Sequence, residues 1–377
     1  LEKINLILIS ILILLCYCIF FLWLTEGLRK AKYKTIPHAD ELPTVSIIIS
    51  ARNEEENISH LLKSLSELTY PKDNFEIIIV NDRSNDDTPN MLKLAEHEIP
   101  NLSAIHIKET PLGWAPKKWA LQQAIDKSMN EIILQTDADC TFNPDWVQVM
   151  VSSFVNPTMG FISGPAPIRY QHPFYDQFAI MDSMSIDAVS SATIKHGIPL
   201  SCTGRNIAFR KIAFFDINGY DGIQDQISGD DDLLMQKMSL SKKWEMDFIC
   251  NNRAIVNSPG PNTMEELVYQ RLRFASKGLN YYKLETNQST RIILPFLYIT
   301  NIFTVISISA YLSTLNGLWL IPFIIKSAGD CLLTLTFFNQ IKIKWSLMAF
   351  IILDIIHPFY VVIFGAIAPF HKIKWKN

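Results

Sequence analysis

Residues 4–24, INLILISILILLCYCIFFLWL, carry no charge, and no other feature restricts the fold as tightly. A bilayer core offers no water to backbone N–H and C=O groups, so an uncharged run of about 20 residues is confined to a membrane-spanning helix. A cleaved signal peptide would have a shorter apolar core, about 7–15 residues, ending in small residues. The run leads instead into TEGLRKAKYK, which is bulky and basic. Residues 1–27 therefore read as a retained anchor, and Arg29, Lys30, Lys32 and Lys34 direct its C-terminal flank to the cytoplasm.

Three more apolar stretches lie near 292–313, 318–338 and 346–369. Lys342 and Lys344 favour a cytoplasmic turn between the last two. The third stretch should then end outside, yet the tail HKIKWKN is basic. Asp354, His357 and Pro358 could resolve the conflict by breaking it into a re-entrant or interfacial helix. Two to three C-terminal spans are expected within 290–370. Lys326 and Asp330 are one turn apart inside the second stretch, where ionisable groups are costly unless paired. They form either a structural pair or a polar patch for a lipid headgroup.

Between 40 and 285 the pattern changes. TVSIIIS (44–50), FEIIIV (75–80), LSAIHI (102–107) and EIILQT (131–136) are short β-rich runs bounded by polar turns. Near-continuous apolar strands of this kind are buried on both faces, as in a parallel sheet. Helical patterns separate them. Asn53 can cap one, with Glu56 three residues on and Ile58, Leu61, Leu62, Leu65 and Leu68 in helical spacing. Others fit 88–98 and 117–129. The alternation predicts an α/β domain with a mainly parallel sheet and a ligand site beyond the C-terminal strand ends.

That geometry brings SARNEE, NDRSNDDT and TDADC to one sheet edge. The chain contains no Gly-x-Gly, so neither a dinucleotide fingerprint nor a glycine-rich phosphate loop is available. Any phosphate must then rely on a metal ion and basic side chains. Asp137 and Asp139 are two apart at a strand end and suit a hard divalent cation completed by substrate phosphates. A net charge of −3 argues against a nucleic-acid partner. The six cysteines include no Cys-x-x-Cys pair, which disfavours a zinc site.

In order along the chain, VSIIISARNEEENI, IIIVNDRSNDDT, QTDADC, SGDDDLLMQK and QRLRFASKG resemble the motifs of membrane-bound family 2 glycosyltransferases. The resemblance covers about residues 43–280 and extends to the flanking spans. It implies a GT-A fold and an inverting transfer from a nucleotide-sugar. Ala51, Asn53 and Glu54 would lie in the first nucleotide loop and Asp82 against the uracil or ribose. Lys118 would sit near the pyrophosphate, Asp137 along the ribose and diphosphate, and Asp139 on Mn2+ or Mg2+. Asp231 would be the general base, with Asp230 and Asp232 as neighbours that a one-residue change of register would promote. Gln270 and Arg273 would approach the diphosphate, while Phe274, Arg205 and Asn206 would meet the acceptor. Plainer readings stand beside these: an acidic helix start for the Asp triplet, turn residues for Arg205 and Asn206, and an interfacial helix for QRLRF.

The expected reaction needs one carboxylate to deprotonate the acceptor and another to hold a cation against the leaving diphosphate. The whole reads as a cytoplasmic GT-A domain at the plasma membrane, moving a sugar from a UDP-sugar to a lipid acceptor. Phe274 in place of the family's usual Trp, and the few spans, lead away from a processive polysaccharide synthase, which is the alternative. A non-catalytic nucleotide-binding scaffold would have no use for five motifs, and a transporter none for the α/β domain.

Overall fold

The computed structural model describes residues 2–30 and 42–371. Lys32 and Lys34, the expected domain start at residue 40 and the tail from 372 onward lie outside the described residues. The described chain separates into two compact units. One holds residues 42–170 and 199–260; the other holds 2–30, 171–198 and 261–371.

In chain order, α1 (Glu2–Lys30) precedes the α/β unit. There β1 (Val45–Ala51), α2 (Ile58–Ser66), β2 (Phe75–Asp82), α3 (Thr88–Glu98), β3 (Leu102–Ile107), α4 (Pro116–Lys127) and β4 (Ile132–Asp137) alternate strictly. Next come β5 (Thr141–Phe142), α5 (Trp146–Val151), β6 (Met159–Ser163) and β7 (Ile168–Arg169). Helix α6 (Pro173–Lys195) belongs to the other unit. β8 (Ile207–Arg210), α7 (Lys211–Asp216), α8 (Asp232–Leu240), β9 (Glu245–Phe248) and β10 (Val256–Pro259) complete the first.

The main sheet has seven strands in the order β3-β2-β1-β4-β8-β6-β9. The first four are mutually parallel, and β8 runs antiparallel to both β4 and β6. The four strands expected from sequence are β1 to β4, and they are parallel because helices cover both faces of an apolar run. Ile47, Ile48, Ile49, Ile77, Ile78, Ile79, Ile132, Ile133 and Leu134 are fully buried. Each such side chain contributes about 1.5–3 kcal/mol on leaving water. Strand order reverses between β1 and β4, the switch point where open α/β sheets bind ligands. Register sets Ala51 opposite Asn81 and Ser50 opposite Asp137, so three strands end flush there.

One local expectation is corrected. Asn53 caps no helix: α2 begins at Ile58, after Asn57. Asn53 instead adopts a left-handed φ of 52°. Its side-chain oxygen accepts the Asn85 N–H at 2.9 Å and its own N–H donates to Ser84 Oγ at 3.0 Å, tying the β1 loop to the β2 loop.

The helical unit adds α9 (Met264–Lys283), α10 (Gln288–Thr314), α11 (Leu320–Ile341) and α12 (Leu347–Ile367). Among the described residues four helices are long and apolar enough to cross a membrane: 4–29, 288–314, 317–341 and 347–370. Helix α12 runs unbroken through Asp354, His357 and Pro358, so the expected break does not occur. Its carboxylate is neutralised instead. Lys326 Nζ donates to Asp354 Oδ1 at 2.9 Å and to Asp330, Ser327 donates to Asp354, and Tyr17 OH donates to Asp330 Oδ1 at 2.5 Å. The pair expected at 326 and 330 is thus the middle of a cluster joining α1, α11 and α12.

A second cluster ties α6, α9 and α12. Asp182 accepts from Arg271 and, at 2.6 Å, from Tyr360 OH. Burial alone would raise this carboxyl, but Arg271 and Tyr360 hold it below the usual range.

Candidate active site

The switch-point edge is built from loop ends that fasten to one another. Glu54 N–H donates to Thr88 Oγ1 at 2.9 Å and Glu55 N–H to Asp86 Oδ2 at 3.0 Å. Asp82, at the end of β2 and 2% exposed, accepts from Arg83 Nε at 2.8 Å and lies 3.9 Å from Arg52 Nη1. Arg52 Nε is buried without a hydrogen-bond partner in the described structure, a spare donor at the end of β1.

One ammonium holds the centre of the edge. Lys117, in the first turn of α4, reaches Asp137 Oδ1 at 2.9 Å and Asp230 Oδ2 at 3.0 Å. Burial would lower this lysine, but the two carboxylates override it and raise it above the ordinary lysine value. Gln135 Nε2 adds a bond to Asp230 Oδ2 at 3.1 Å. Asp231 caps α8: Oδ1 accepts Asp232 N–H and Oδ2 accepts Gly204 N–H, each at 2.7 Å. Two amide bonds aim the carboxylate. Asp232 is 2% exposed and accepts the Leu233 N–H at 2.9 Å. The triplet is therefore both a helix start and a buried carboxylate cluster.

Lys118, singled out from the sequence, is placed differently. It is 1% exposed and donates to the carbonyls of Gln226 at 2.5 Å and Ser228 at 2.8 Å, clamping the loop before Asp230 onto α4. A signal for Lys117 was available, because the pattern Lys-x-x-Ala-Leu read back from Ala120 and Leu121 lands on it. Asn206 is likewise internal. It is fully buried, its Oδ1 accepts from Trp146 Nε1 at 3.0 Å, and its Nδ2 donates to the carbonyls of Pro165 and Ala254. Both N–H donors of that amide are used inside the fold. Arg205 bonds Ser258 Oγ and, at 2.9 Å, the Ala166 carbonyl.

Asp139 lies two residues beyond β4. Burial, then the charges of Asp137 and Glu54, push its carboxyl above the usual range, while Arg205 opposes them. Three acids crowding one corner are relieved by a cation, so the donor set fits a hard divalent ion. Among the described residues no group of three or more His, Cys, Asp or Glu side chains converges as a ligand set. Such an ion would rest on one or two carboxylates plus phosphate oxygens, the coordination that Mg2+ favours.

Gln270, Arg273 and Phe274 lie on α9, which clusters with the apolar helices. Phe274 is 40% exposed, with the Arg273 guanidinium 5.6 Å over its ring. Gln270 Oε1 is buried without a hydrogen-bond partner in the described structure.

In a mainly parallel α/β unit, carboxylates and a lysine at the switch point mark the edge where such sheets bind ligands. Residues 46–214 match the family model described as "Glycosyl transferase family 2". The chain is 29% identical over 243 residues to a beta-monoglucosyldiacylglycerol synthase of Nostoc sp., covering 64% of this chain and 50% of that one. It is 25% identical over 282 residues to a poly-beta-1,6-N-acetyl-D-glucosamine synthase of Staphylococcus epidermidis, covering 72% and 65%. It spans about half the length of the glucolipid synthases it matches. In fold it is similar to the mannosyltransferase PcManGT from Pyrobaculum calidifontis, solved with GDP-Man and Mn2+, at a TM-score of 0.62 and 18% identity over 97% of this chain and 99% of that one. The matched segment is thus similar to glycosyltransferase family 2, and the fold is of the GT-A kind.

Proposed function

We propose that the protein transfers a sugar, with inversion, from a UDP-sugar to the hydroxyl of a membrane lipid. The observation that carries this reading is the Asp137–Lys117–Asp230 bridge at the switch point. It holds, on rigid elements, an ammonium that can meet a nucleoside diphosphate and carboxylates that can share a cation with it.

In this reading Ala51, Asn53, Glu54 and Asp82 receive the nucleoside, and Asp137 and Lys117 face the diphosphate. Asp231 takes the proton of the acceptor hydroxyl as that oxygen attacks the anomeric carbon from the side opposite the diphosphate. Its two backbone amide bonds fix the direction of that attack. Asp139 would hold Mn2+ or Mg2+ together with the donor phosphates; when bound, the ion neutralises charge that builds on the departing diphosphate. The catalytic unit faces the cytoplasm, as the basic residues Arg29, Lys30, Lys342 and Lys344 favour. The glucolipid synthases among the relatives support a lipid acceptor.

The test incubates the full chain in lipid vesicles with UDP-glucose, UDP-N-acetylglucosamine or GDP-mannose, with and without Mn2+, and analyses the lipids by mass spectrometry. A new glycolipid that requires the ion is expected. No product from any donor, with equal UDP affinity in the presence and absence of Mn2+, would sink the reading. The similarity to a poly-N-acetylglucosamine synthase motivates a second reading, a processive polysaccharide synthase; a ladder of polymer lengths in place of one product would favour it.

A further inference from the structure

The polar groups around Asp230 do not all find partners. Tyr220 lies on the loop between α7 and α8, 1% exposed, its ring edge-on to Phe214 at 5.2 Å. Its hydroxyl is sealed from solvent and has no hydrogen-bond partner in the described structure. The charges that bear on it are those of Asp230, Lys117 and Asp231.

The loop carrying it is firmly held. Lys118 binds the carbonyls of Gln226 and Ser228, Lys237 binds those of Gly219 and Asp221, and Ala115 N–H donates to the Gln224 carbonyl at 2.7 Å. A buried hydroxyl without a partner destabilises a fold, and phenylalanine would fill the same volume without that cost. The hydroxyl is therefore a poor choice for packing alone.

Asp230 Oδ2 depends on two donors, Lys117 at 3.0 Å and Gln135 at 3.1 Å. Lys117 bridges the two carboxylates from a four-carbon stem that has the freedom to swing. A diphosphate concentrates more negative charge than the two carboxylates and competes for that ammonium. Once Lys117 turns to it, Asp230 keeps only Gln135 and stands beside the like charge of Asp231. The spare buried oxygens Gln135 Oε1 and Gln224 Oε1 are acceptors and cannot help a carboxylate. The Tyr220 hydroxyl can donate.

We propose that Tyr220 is a positioning residue: its hydroxyl takes over the Asp230 carboxylate when the donor diphosphate draws Lys117 away, keeping the 230–231 turn aimed during transfer. The proposal rests on the transferase reading above. It gives the unpartnered hydroxyl a role in the donor-bound enzyme.

Tyr220→Phe in the full chain tests it, with the donor that gives product in the panel above. The expected result is a split: kcat falls at least tenfold, donor KM stays within threefold, and Tm is unchanged or higher. Unchanged kcat with a raised Tm would make Tyr220 a packing residue and overturn the proposal. Raised KM at constant kcat would make it a direct donor contact, and a lowered Tm would make it structural; both also overturn it. If the wild-type chain gives no product from any donor, the transferase reading and this proposal fall together. Turnover by wild type with an unaltered variant removes this proposal alone.

Discussion

Asp230 and Asp231 are adjacent in sequence but do different work because their partners differ. Asp231 is gripped by backbone amides, whereas Asp230 is gripped by side chains that can move. Asp231→Asn keeps the shape and removes the proton acceptor. It is expected to lower kcat by about 10²–10⁴-fold, with UDP affinity by calorimetry within threefold of wild type. Lys117→Met should act on binding instead. Losing a charge-assisted bond of about 1.5–3 kcal/mol weakens UDP by about 10- to 150-fold; unchanged affinity would remove Lys117 from the diphosphate end. Legibility at this scale was uneven. Asp82 and Asp137 could be placed at the edge because strand ends carry them there. Lys117 and Lys118 are neighbours on one helix, and only three-dimensional packing shows which one turns inward to the loop carbonyls. Tyr220 gave no signal, since a missing partner is a property of the fold and not of the sequence.

At the scale of elements, the strands and the spans were readable from apolar runs, and the exceptions came from paired polar groups. Asp354 looks like a helix breaker in isolation. It is tolerated in α12 because Lys326 and Ser327, on α11, satisfy it. Asn53 looks like a helix cap, yet the partners that hold it, Ser84 and Asn85, belong to the loop after β2. Both misreadings have one cause: a local pattern cannot include a donor or acceptor supplied by a distant segment. The Lys326 cluster also yields a prediction. Lys326→Met leaves the buried Asp354 and the half-buried Asp330 without their shared cation, a loss of about 3–5 kcal/mol. Thermal unfolding in detergent should show a clearly lowered midpoint, whereas a midpoint equal to wild type would mean that the cluster does not hold α11 to α12.

For the molecule as a whole, the spans and the catalytic unit impose separate requirements on one chain. Among the described residues four helices are long and apolar enough to cross a bilayer, so attachment would rest on nonpolar surface and not on charge. The full chain should therefore stay in the membrane fraction after alkaline carbonate or high-salt washing, as immunoblotting of pellet and supernatant would report. Release by either wash would mean that the apolar helices do not span. Motif order made the family legible. The division of the chain was not, because α6 and α9 are mixed in composition and only their packing shows that they cluster with the apolar helices.

The bond from Tyr17 to Asp330 joins residues 313 positions apart. During synthesis α1 enters the bilayer long before α11 and α12 exist, so the helix that anchors the chain must wait, unpaired, for its polar contacts. The intervening α/β unit has time to fold, domain by domain, before the bundle can close. Bundle closure is thus the last assembly step. A chain interrupted anywhere before α11 lacks the carboxylate that Tyr17 bonds in the finished protein.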